Sequence, residues 1–339
     1  MRWLTSGRAP LRHLCTAMLL WSAAGARSNE LTWQVCQTVE LRHGDLDVLF
    51  RDNSQSPGVL SGADRLVNVR DAPGFDAFDP DSPGASAGLN FEHIIVGHAS
   101  PHNRFTPRSD KYVLERAVGL PTVRLVRHER DDPWRISSTL TYTLVEPHAI
   151  DLDFRCRAHD PRLFEPRGYA VLFFANYMND MSRVALNFLG HEREGGPQRW
   201  IAADAPQTHP DYNGGGTYRA AAAPALEYDP DHDFKLNLWS YDQPRFTQPF
   251  YYGLAANGMT LLMMFDRAYS ERDEIRFSLF KFKIPRFPRP ALDWQYVIHH
   301  VRTGEDYGFR ARAVWKRFVS SEDCRQEYER WVANLPQPH

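Results

Sequence analysis

Short segments in which hydrophobic and polar residues alternate recur along most of this chain. Residues 45–51, 122–128, 137–144 and 149–156 each place apolar side chains at about every second position. A period of two is typical of β-strands that bury one face, so each segment is predicted to be a strand. Residues 169–175 are nearly all apolar, which is typical of a strand buried on both faces.

The C-terminal part continues this series and ends in one helix. Similar segments predict four more strands, at 259–265, 275–282, 294–301 and 308–315. A helix is predicted over residues 321–334, where Ser321 can cap the N-terminus and Glu322 favours the positive end of the helix dipole. Tyr328 and Trp331 are three residues apart and therefore share one face of this helix.

Two segments rich in turn-forming residues, 71–88 and 207–218, are predicted to be loops. Long loops inside a compact fold often carry function. Strands do not alternate with helices along the chain, which excludes a Rossmann fold and a TIM barrel. The predicted fold is all-β, built from large antiparallel sheets with a short C-terminal helix.

The N-terminal residues have the pattern of a secretory signal peptide. Arg2, Arg8 and Arg12 form a basic start, residues 14–21 are apolar, and small residues lead to a cleavage point after Ala26. The apolar run is shorter than the ~20 residues that a membrane-spanning helix needs. We therefore expect a cleaved leader, no membrane span, and a periplasmic or extracellular protein.

Composition narrows the class of protein further. The chain has 339 residues, with 40 Lys and Arg against 42 Asp and Glu, and this balance excludes a general nucleic-acid binder. Aromatic residues make up 13%, which suits a β-rich fold or a surface that stacks on sugar rings. No internal repeat or composition break divides residues 27–339, so we predict a signal peptide at 1–26 followed by one domain. The sequence leaves the oligomeric state open.

Three cysteines remain after cleavage at Ala26: Cys36, Cys156 and Cys324. An odd number in an oxidising compartment allows one disulfide and one free thiol. A bridge from Cys36 to Cys324 would join the two ends of the mature chain, although sequence alone does not give the pairing. The chain has no CxxC motif, so neither a zinc ribbon nor a thioredoxin-type site is supported.

Several short sequence motifs, taken together, resemble those of a known family. They include 88–93 (GLNFEH), 173–179 (FFANYMN), 248–253 (QPFYYG), 293–298 (DWQYVI) and the spacing Glu327-Tyr328-x-x-Trp331. With these motifs the chain resembles an uncharacterised family of exported bacterial proteins with a galactose-mutarotase-like β-supersandwich. The resemblance implies a large antiparallel β-supersandwich with a sugar-facing concave surface. Aldose epimerases, polysaccharide lyase domains and non-catalytic sugar binders share that fold, so it does not choose among them.

The densest polar cluster follows the predicted strand near Phe91. Alternation along a strand places Glu92 and His93 on opposite faces, which predicts that they do not share a site. His98 and His102 lie in the following loop with Asn103 and Arg104. A histidine can exchange protons near neutral pH, and the Asn and Arg side chains can hold sugar hydroxyls or a carboxylate. His98 and His102 are therefore candidate catalytic residues and Asn103 and Arg104 candidate substrate-binding residues, with a solvated loop as the alternative.

Two further groups complete the predicted site. Tyr177 and Asn179 follow the most hydrophobic strand, and Tyr177 could act as a general acid or base if a nearby arginine lowered its pKa. The alternative is an internal hydrogen-bond network. Trp239 and Tyr251 belong to an aromatic run that could stack on a sugar ring, and we expect one of the two to be exposed. Core packing of the whole run is the alternative.

No cofactor is required by any motif. Asp229, Asp231 and Asp233 have the spacing that begins an EF-hand loop, but Phe234 replaces the required glycine and Ser240 stands at the position of the closing glutamate. These departures reject an EF-hand and leave a looser calcium site or a carboxylate-rich turn, of which the sequence favours the turn.

The sequence therefore predicts a secreted carbohydrate-active protein. Its chemistry would be acid–base catalysis on a sugar or uronate, as in a lyase or an epimerase, with a carbohydrate as ligand. His98 or His102 would move one proton, and Tyr177 would take the opposite role. The alternative is a non-catalytic glycan-binding or structural module, which the same composition allows.

Overall fold

The computed structural model describes residues 31–53, 60–80, 87–103, 106–108, 111–204, 214–224, 243–281 and 289–336. Within these residues the chain forms strands and one α-helix, with the following bounds: β1 Trp33–Cys36, β2 Thr38–His43, β3 Leu46–Arg51, β4 Gly62–Asn68, β5 Asn90–Val96, β6 Val113–Ala117, β7 Thr122–Arg127, β8 Ile136–Val145, β9 Ala149–Ala158, β10 Ala170–Ala175, β11 Met181–His191, β12 Arg199–Ala203, β13 Gly214–Tyr218, β14 Arg245–Phe246, β15 Phe250–Ala255, β16 Met259–Phe265, β17 Asp273–Lys281, β18 Pro290–Ile298, β19 Asp306–Arg317 and α1 Ser321–Ala333.

The strands of the described residues form three sheets. The large sheet has eleven strands in the order β1-β6-β7-β8-β9-β19-β16-β15-β11-β12, with β14 paired to β11. A five-stranded sheet runs β13-β17-β18-β10-β5, and a small sheet runs β2-β3-β4. Neighbouring strands pair in antiparallel fashion, as in β8 with β9 and β17 with β18. The predicted all-β fold with large antiparallel sheets and a short C-terminal helix is confirmed.

The main core lies between the large sheet and the five-stranded sheet, and aromatic rings fill its centre. The indole of Trp294 on β18 stacks on Phe174 of β10, with 5.0 Å between ring centroids and 5° between planes. Phe154 and Phe309, from the large sheet, meet the Phe174 ring edge-on at 5.0 Å and 5.3 Å. Aromatic rings prefer these offset and edge-on arrangements, so this group fixes how the two sheets pack.

One predicted loop contains a strand. Residues 207–218 were expected to be irregular because of their three consecutive glycines, but Gly214–Tyr218 forms β13 and pairs with β17. The ladder needs only backbone N–H and C=O groups, which glycine supplies, so a partner strand can outweigh the low strand preference of glycine.

The C-terminal helix agrees with its prediction except for its N-cap and its last residue. The helix spans Ser321–Ala333, and Ser320 rather than Ser321 is the N-cap, because the Ser320 side chain accepts a hydrogen bond from the Asp323 N–H. Tyr328 and Trp331 face the large sheet together, and the Tyr328 ring stacks on Phe250 at 5.0 Å. The predicted shared face of these two residues is therefore confirmed.

All three cysteines beyond residue 31 are free, so the suggested bridge from Cys36 to Cys324 is wrong. Cys36 lies on β1, at the edge of the large sheet, whereas Cys324 lies on α1 and packs near Val314 of β19. Five strand intervals separate β1 from β19, roughly 24 Å at the usual strand spacing. A disulfide needs Cα atoms within about 7 Å.

Two further predictions concern a membrane-spanning helix and the N-terminal leader. No helix among the described residues is long and apolar enough to span a membrane. Residues 1–30, with the predicted leader, lie outside the described residues, so the signal peptide and the domain boundaries stay predictions.

Candidate active site

One face of the five-stranded sheet enters the main core, and the other carries buried polar side chains beside a small apolar cluster that includes Val171 and Phe173. On β18, Leu292, Trp294 and Tyr296 enter the main core, while Asp293 and Gln295 point to the other side. The polar face, as we name it, carries these buried side chains: Glu92, His93, Thr217, Arg219, Glu274, Arg276, Ser278, Asp293 and Gln295. Burying charged and polar groups is costly unless they are paired, so such a face must be built as a network.

A β-bulge brings Glu92 and His93 to the same side of the sheet. On the neighbouring strand β10, Phe173 pairs with His93 and Phe174 pairs with Phe91, so Glu92 is an extra residue in the ladder. Phe91 and Ile94 then enter the main core, and Glu92 joins His93 on the polar face. The prediction that Glu92 and His93 lie apart is wrong, because strict alternation does not hold across a bulge.

Glu92 is the centre of a compact cluster, the Glu92 cluster, formed with His93, Arg108 and Tyr177. Only 1% of its side chain is exposed. The Tyr177 hydroxyl donates to the two carboxylate oxygens at 2.7 and 2.8 Å, and Arg108 Nη1 donates to Oε1 at 2.6 Å. His93 Nε2 lies 3.7 Å from Oε2. The cluster reaches the surface at Tyr177 and Arg108, which are both half-buried.

Two features of the sheet edge assemble this cluster. Residues 106–108 run beside β5, where Ile94 N–H donates to Thr106 C=O and Arg108 N–H donates to Glu92 C=O. This pairing holds Arg108 beside the Glu92 side chain. Tyr177 comes from the residues that follow β10 and forms a bridge with Ala291.

Tyr177 stays protonated in this setting. Burial raises the pKa of the phenol well above its ordinary value, and the negative charges of Glu92 and Asp293 raise it further. The sequence-based idea that an arginine lowers this pKa is therefore wrong, since Arg108 lies close but its effect is smaller than burial and the carboxylates. A phenol with a raised pKa keeps its proton at neutral pH, so it is present as a hydrogen-bond donor and not as a base.

A second charged group lies at the other end of the polar face. Glu274 contacts Arg276 Nη2 at 2.6 Å, Arg219 Nη2 at 3.3 Å and His299 Nε2 at 3.8 Å. Burial raises the pKa of Glu274, but the positive charges and hydrogen bonds around it lower it by more, to about 2. Glu274 is thus ionised at neutral pH and balances the charge of two buried guanidinium groups.

The loop that holds His98 and His102, here called the histidine loop, is not part of the Glu92 cluster. A short 3₁₀-helix spans Pro101–Asn103, and the rings of His98 and His102 each meet the Trp134 ring edge-on, at 5.7 and 6.2 Å. No contact joins His98 or His102 to Tyr177 within the described part of the chain. Asn103 is fully buried, accepting from Val96 N–H and donating to His98 C=O, so its amide holds the loop.

The remaining predicted site residues differ in their surroundings. Asn179 donates through its side chain to Asp76 C=O, next to the Tyr177 segment. Tyr251 is 0% exposed and its hydroxyl donates to Leu292 C=O, so the expectation that it could be the exposed aromatic is wrong. It packs in the core against Phe277. Arg104 and Trp239 lie outside the described residues, and their roles stay predictions.

No group of three or more His, Cys, Asp or Glu side chains among the described residues could hold a metal ion. The carboxylates of Asp229, Asp231 and Asp233 lie outside those residues, so the suggested calcium site stays untested.

Sequence reasoning missed Glu92, Arg108 and Glu274 as members of a site. One signal was available for Glu274, because β17 alternates charged Glu274 and Arg276 with apolar Ile275 and Phe277. Such alternation usually predicts a solvated outer face, whereas here both faces of the strand are buried. The burial depends on tertiary structure, so the pattern alone could not distinguish a surface from a buried network.

The sequence matches no protein-family model and none of the curated proteins. Among solved structures, it is similar to a GalM/aldose epimerase homologue from C. elegans at 13% identity and a TM-score of 0.46, covering 84% of this chain and 100% of that one. It is also similar to the heparan sulfate lyase HepC from Pedobacter heparinus at 7% identity and a TM-score of 0.41. That match covers 81% of this chain and 34% of the lyase, about a third of its length.

Proposed function

We propose that this chain is an exported carbohydrate-active enzyme that transfers protons at the Glu92 cluster. The observation that carries the proposal is the bulge that sets a buried carboxylate beside a phenol, an imidazole and a guanidinium. Groups of this kind at hydrogen-bond distance, reaching the surface at one edge, are what acid–base catalysis requires. Export rests on the signal-peptide pattern of residues 1–26.

The proposed chemistry follows from the surroundings of each side chain in the cluster. Glu92, facing Arg108, is the proton acceptor, and Tyr177, with its raised pKa, is the proton donor. Both lie within about 3 Å of each other, so a substrate hydroxyl or ring oxygen entering beside Tyr177 meets donor and acceptor together. His93 lies on the same side and can hold a neighbouring hydroxyl. Arg108 can stabilise negative charge that develops on the substrate.

A sugar or uronate is the proposed substrate class for two reasons. The sequence resembles a family with a galactose-mutarotase-like β-supersandwich, and the polar face offers hydroxyl, amide, carboxylate and guanidinium groups. A hydroxyl-rich ring both donates and accepts hydrogen bonds, which suits such a surface. Proton transfer on a sugar would lead to epimerisation or to elimination, as in a lyase.

The test compares Glu92→Gln and Tyr177→Phe with the unchanged protein on four probes. Polarimetry follows the anomerisation of α-D-glucose and α-D-galactose, and ultraviolet absorbance follows unsaturated products from polygalacturonate and heparin. We expect both substitutions to lower kcat about a hundredfold on the probe that is turned over, because each removes one partner of the proton transfer.

Matched controls come from pairs outside the cluster. Tyr252→Phe removes a buried phenol that bonds to Ser321, and Glu115→Gln removes a carboxylate that pairs with Arg124. Both should keep full turnover. His102→Ala in the same assay tests the role predicted for the histidine loop. Turnover that survives in Glu92→Gln would contradict the proposal, and binding of a probe without any product would favour the non-catalytic module.

A further inference from the structure

A cavity of about 540 Å³ lies on the outer side of the large sheet. The polar face belongs to the five-stranded sheet, so the two features lie on different sheets. Strands β8, β9 and β19 form its wall, and the C-terminal end of α1 forms its rim. Tyr142, Leu152 and Phe154 point from these strands into the main core, so the cavity uses the alternate residues. Its volume falls within the range of small-ligand sites.

The wall of the cavity is an ordered lattice of polar side chains. In one row Thr143 faces Asp151, which faces Arg312. In the next row the strand pairing sets Thr141, Asp153 and Arg310 side by side. Neighbours within a row are about 5 Å apart and the two rows about 7 Å apart, as the geometry of a sheet requires. The lattice is therefore large enough for one sugar ring.

Donors and acceptors remain available in this lattice. Arg312 is held flat by two hydrogen bonds to Asp151, at 2.5 and 2.8 Å. Arg310 is 37% exposed, and its nearest carboxylate oxygen, on Asp153, lies 3.7 Å away, which is beyond hydrogen-bond distance. Its N–H groups can therefore donate to a ligand. Asp153 already accepts two hydrogen bonds from Arg155, at 2.6 and 3.1 Å, but it is 41% exposed, and the second lone pair of each oxygen can accept from a ligand.

Charge within the cavity is balanced. Arg310, Arg312 and Arg330 line it together with Asp151, Asp153 and Glu327. Three cations thus face three carboxylates, an arrangement without a large field for an anion or a cation. A ligand that alternates hydrogen-bond donors and acceptors, without a net charge, complements such a surface.

The rim adds an apolar surface. Leu335 and Pro336 line the cavity beside Trp331 of α1; Trp331 is only 5% exposed, whereas Leu335 is half-buried and Pro336 is exposed. A pyranose ring has polar edges and an apolar C–H face, and aromatic and aliphatic side chains bind such faces. The cavity therefore combines the two surfaces that a sugar ring needs.

From this lattice and rim we infer that the cavity binds a neutral saccharide ring, as an accessory site separate from the Glu92 cluster. The two sites share no residue. Ring hydroxyls donate to Asp151 and Asp153 and accept from Arg310, and the C–H face lies toward Leu335 and Pro336.

The experiment measures saturation-transfer NMR of the full chain with the methyl glycosides of glucose, galactose and mannose, and with methyl glucuronide as the anionic comparison. The double variant Asp153→Asn with Arg310→Gln should weaken binding at least tenfold. The matched control is Asp306→Asn with Arg157→Gln, an exposed pair that joins the same two strands through two hydrogen bonds but lies outside the cavity. Circular dichroism checks that each variant is folded.

Each outcome decides the inference. Binding that is lost in the cavity variant, retained in the control and retained in Glu92→Gln supports the accessory site, whatever the fate of the proposed catalysis. Equal loss in both double variants, no change in either, or no binding of the three glycosides to the unchanged protein would overturn it. Binding of methyl glucuronide alone would also overturn it, because the ligand would then be an anion.

Discussion

Replacement of Glu274 by glutamine is expected to lower the free energy of unfolding by about 3–5 kcal/mol at neutral pH. Glu274 is 0% exposed and lies between Arg276 and Arg219, whose side chains are also buried. Glutamine fills the same space but carries no charge, so two guanidinium groups would lose their shared counterion in a region of low dielectric. Urea unfolding followed by circular dichroism measures the loss.

The same residue predicts how stability depends on pH. The pKa of Glu274 falls from an ordinary 4.5 to about 2 in the folded protein, so its contribution is fully present above about pH 4.5. It is lost as the pH falls through about 2, where the folded-state carboxylate takes up its proton. The stability difference between wild type and Glu274→Gln should therefore shrink as the pH is lowered across this window.

A surface carboxylate provides the control for this prediction. Glu115 pairs with Arg124 on the outer side of the large sheet, and both side chains are partly exposed. Glu115→Gln should cost less than about 1 kcal/mol, because exposed ion pairs contribute little. If Glu274→Gln were as mild as Glu115→Gln, the two buried arginines would not depend on Glu274 for their charge balance.

Truncation of Trp294 to alanine is expected to cost about 3–5 kcal/mol of stability. Its ring is fully buried, stacks on Phe174, and contacts Phe265 at 5.8 Å and Phe309 at 6.4 Å between centroids. Alanine would leave a large cavity at the place where the two sheets meet. Denaturant unfolding gives the loss in stability, and the near-ultraviolet circular dichroism should lose much of its aromatic signal.

Two further variants make this result specific. Trp294→Phe keeps a ring against Phe174 and should cost clearly less than the alanine variant. Trp200→Ala removes a half-buried indole that meets Phe250 and Tyr252 at 6.0 Å, beside the helix rather than between the sheets, and should also cost less. Equal losses in all three variants would show that the stack on Phe174 has no special weight.

Core and candidate site are mechanically linked through β18. Trp294 points into the main core, and its neighbours Asp293 and Gln295 point to the polar face. Asp293 accepts a hydrogen bond from Asn176 N–H, directly before Tyr177. The aromatic stack therefore helps to hold the backbone from which the Glu92 cluster is built, and we expect the stability of the core to limit the precision of the site.

The sequence by itself determined the type of ten of the nineteen described strands and of the one described α-helix. Alternation of polar and apolar residues is a local property, and it located β7, β8, β9 and β16 to within about two residues. The helix was also evident from its acidic first turn and from the spacing of Tyr328 and Trp331, although its N-cap is Ser320 and not the predicted Ser321. The all-β fold follows from these local patterns, because strands without interleaved helices can bury their apolar faces only by packing sheet on sheet.

Tertiary structure decided which of these residues form sites. The bulge that joins Glu92 to His93 exists because β5 pairs with β10 out of register, and the partner residue Phe173 is far away in sequence. Asp151 and Arg312, which are 161 positions apart, meet only because β9 and β19 are neighbours. Alternation along a strand predicts that one face is polar. Whether that face is solvated, is buried or lines a cavity depends on which other parts of the chain pack against it.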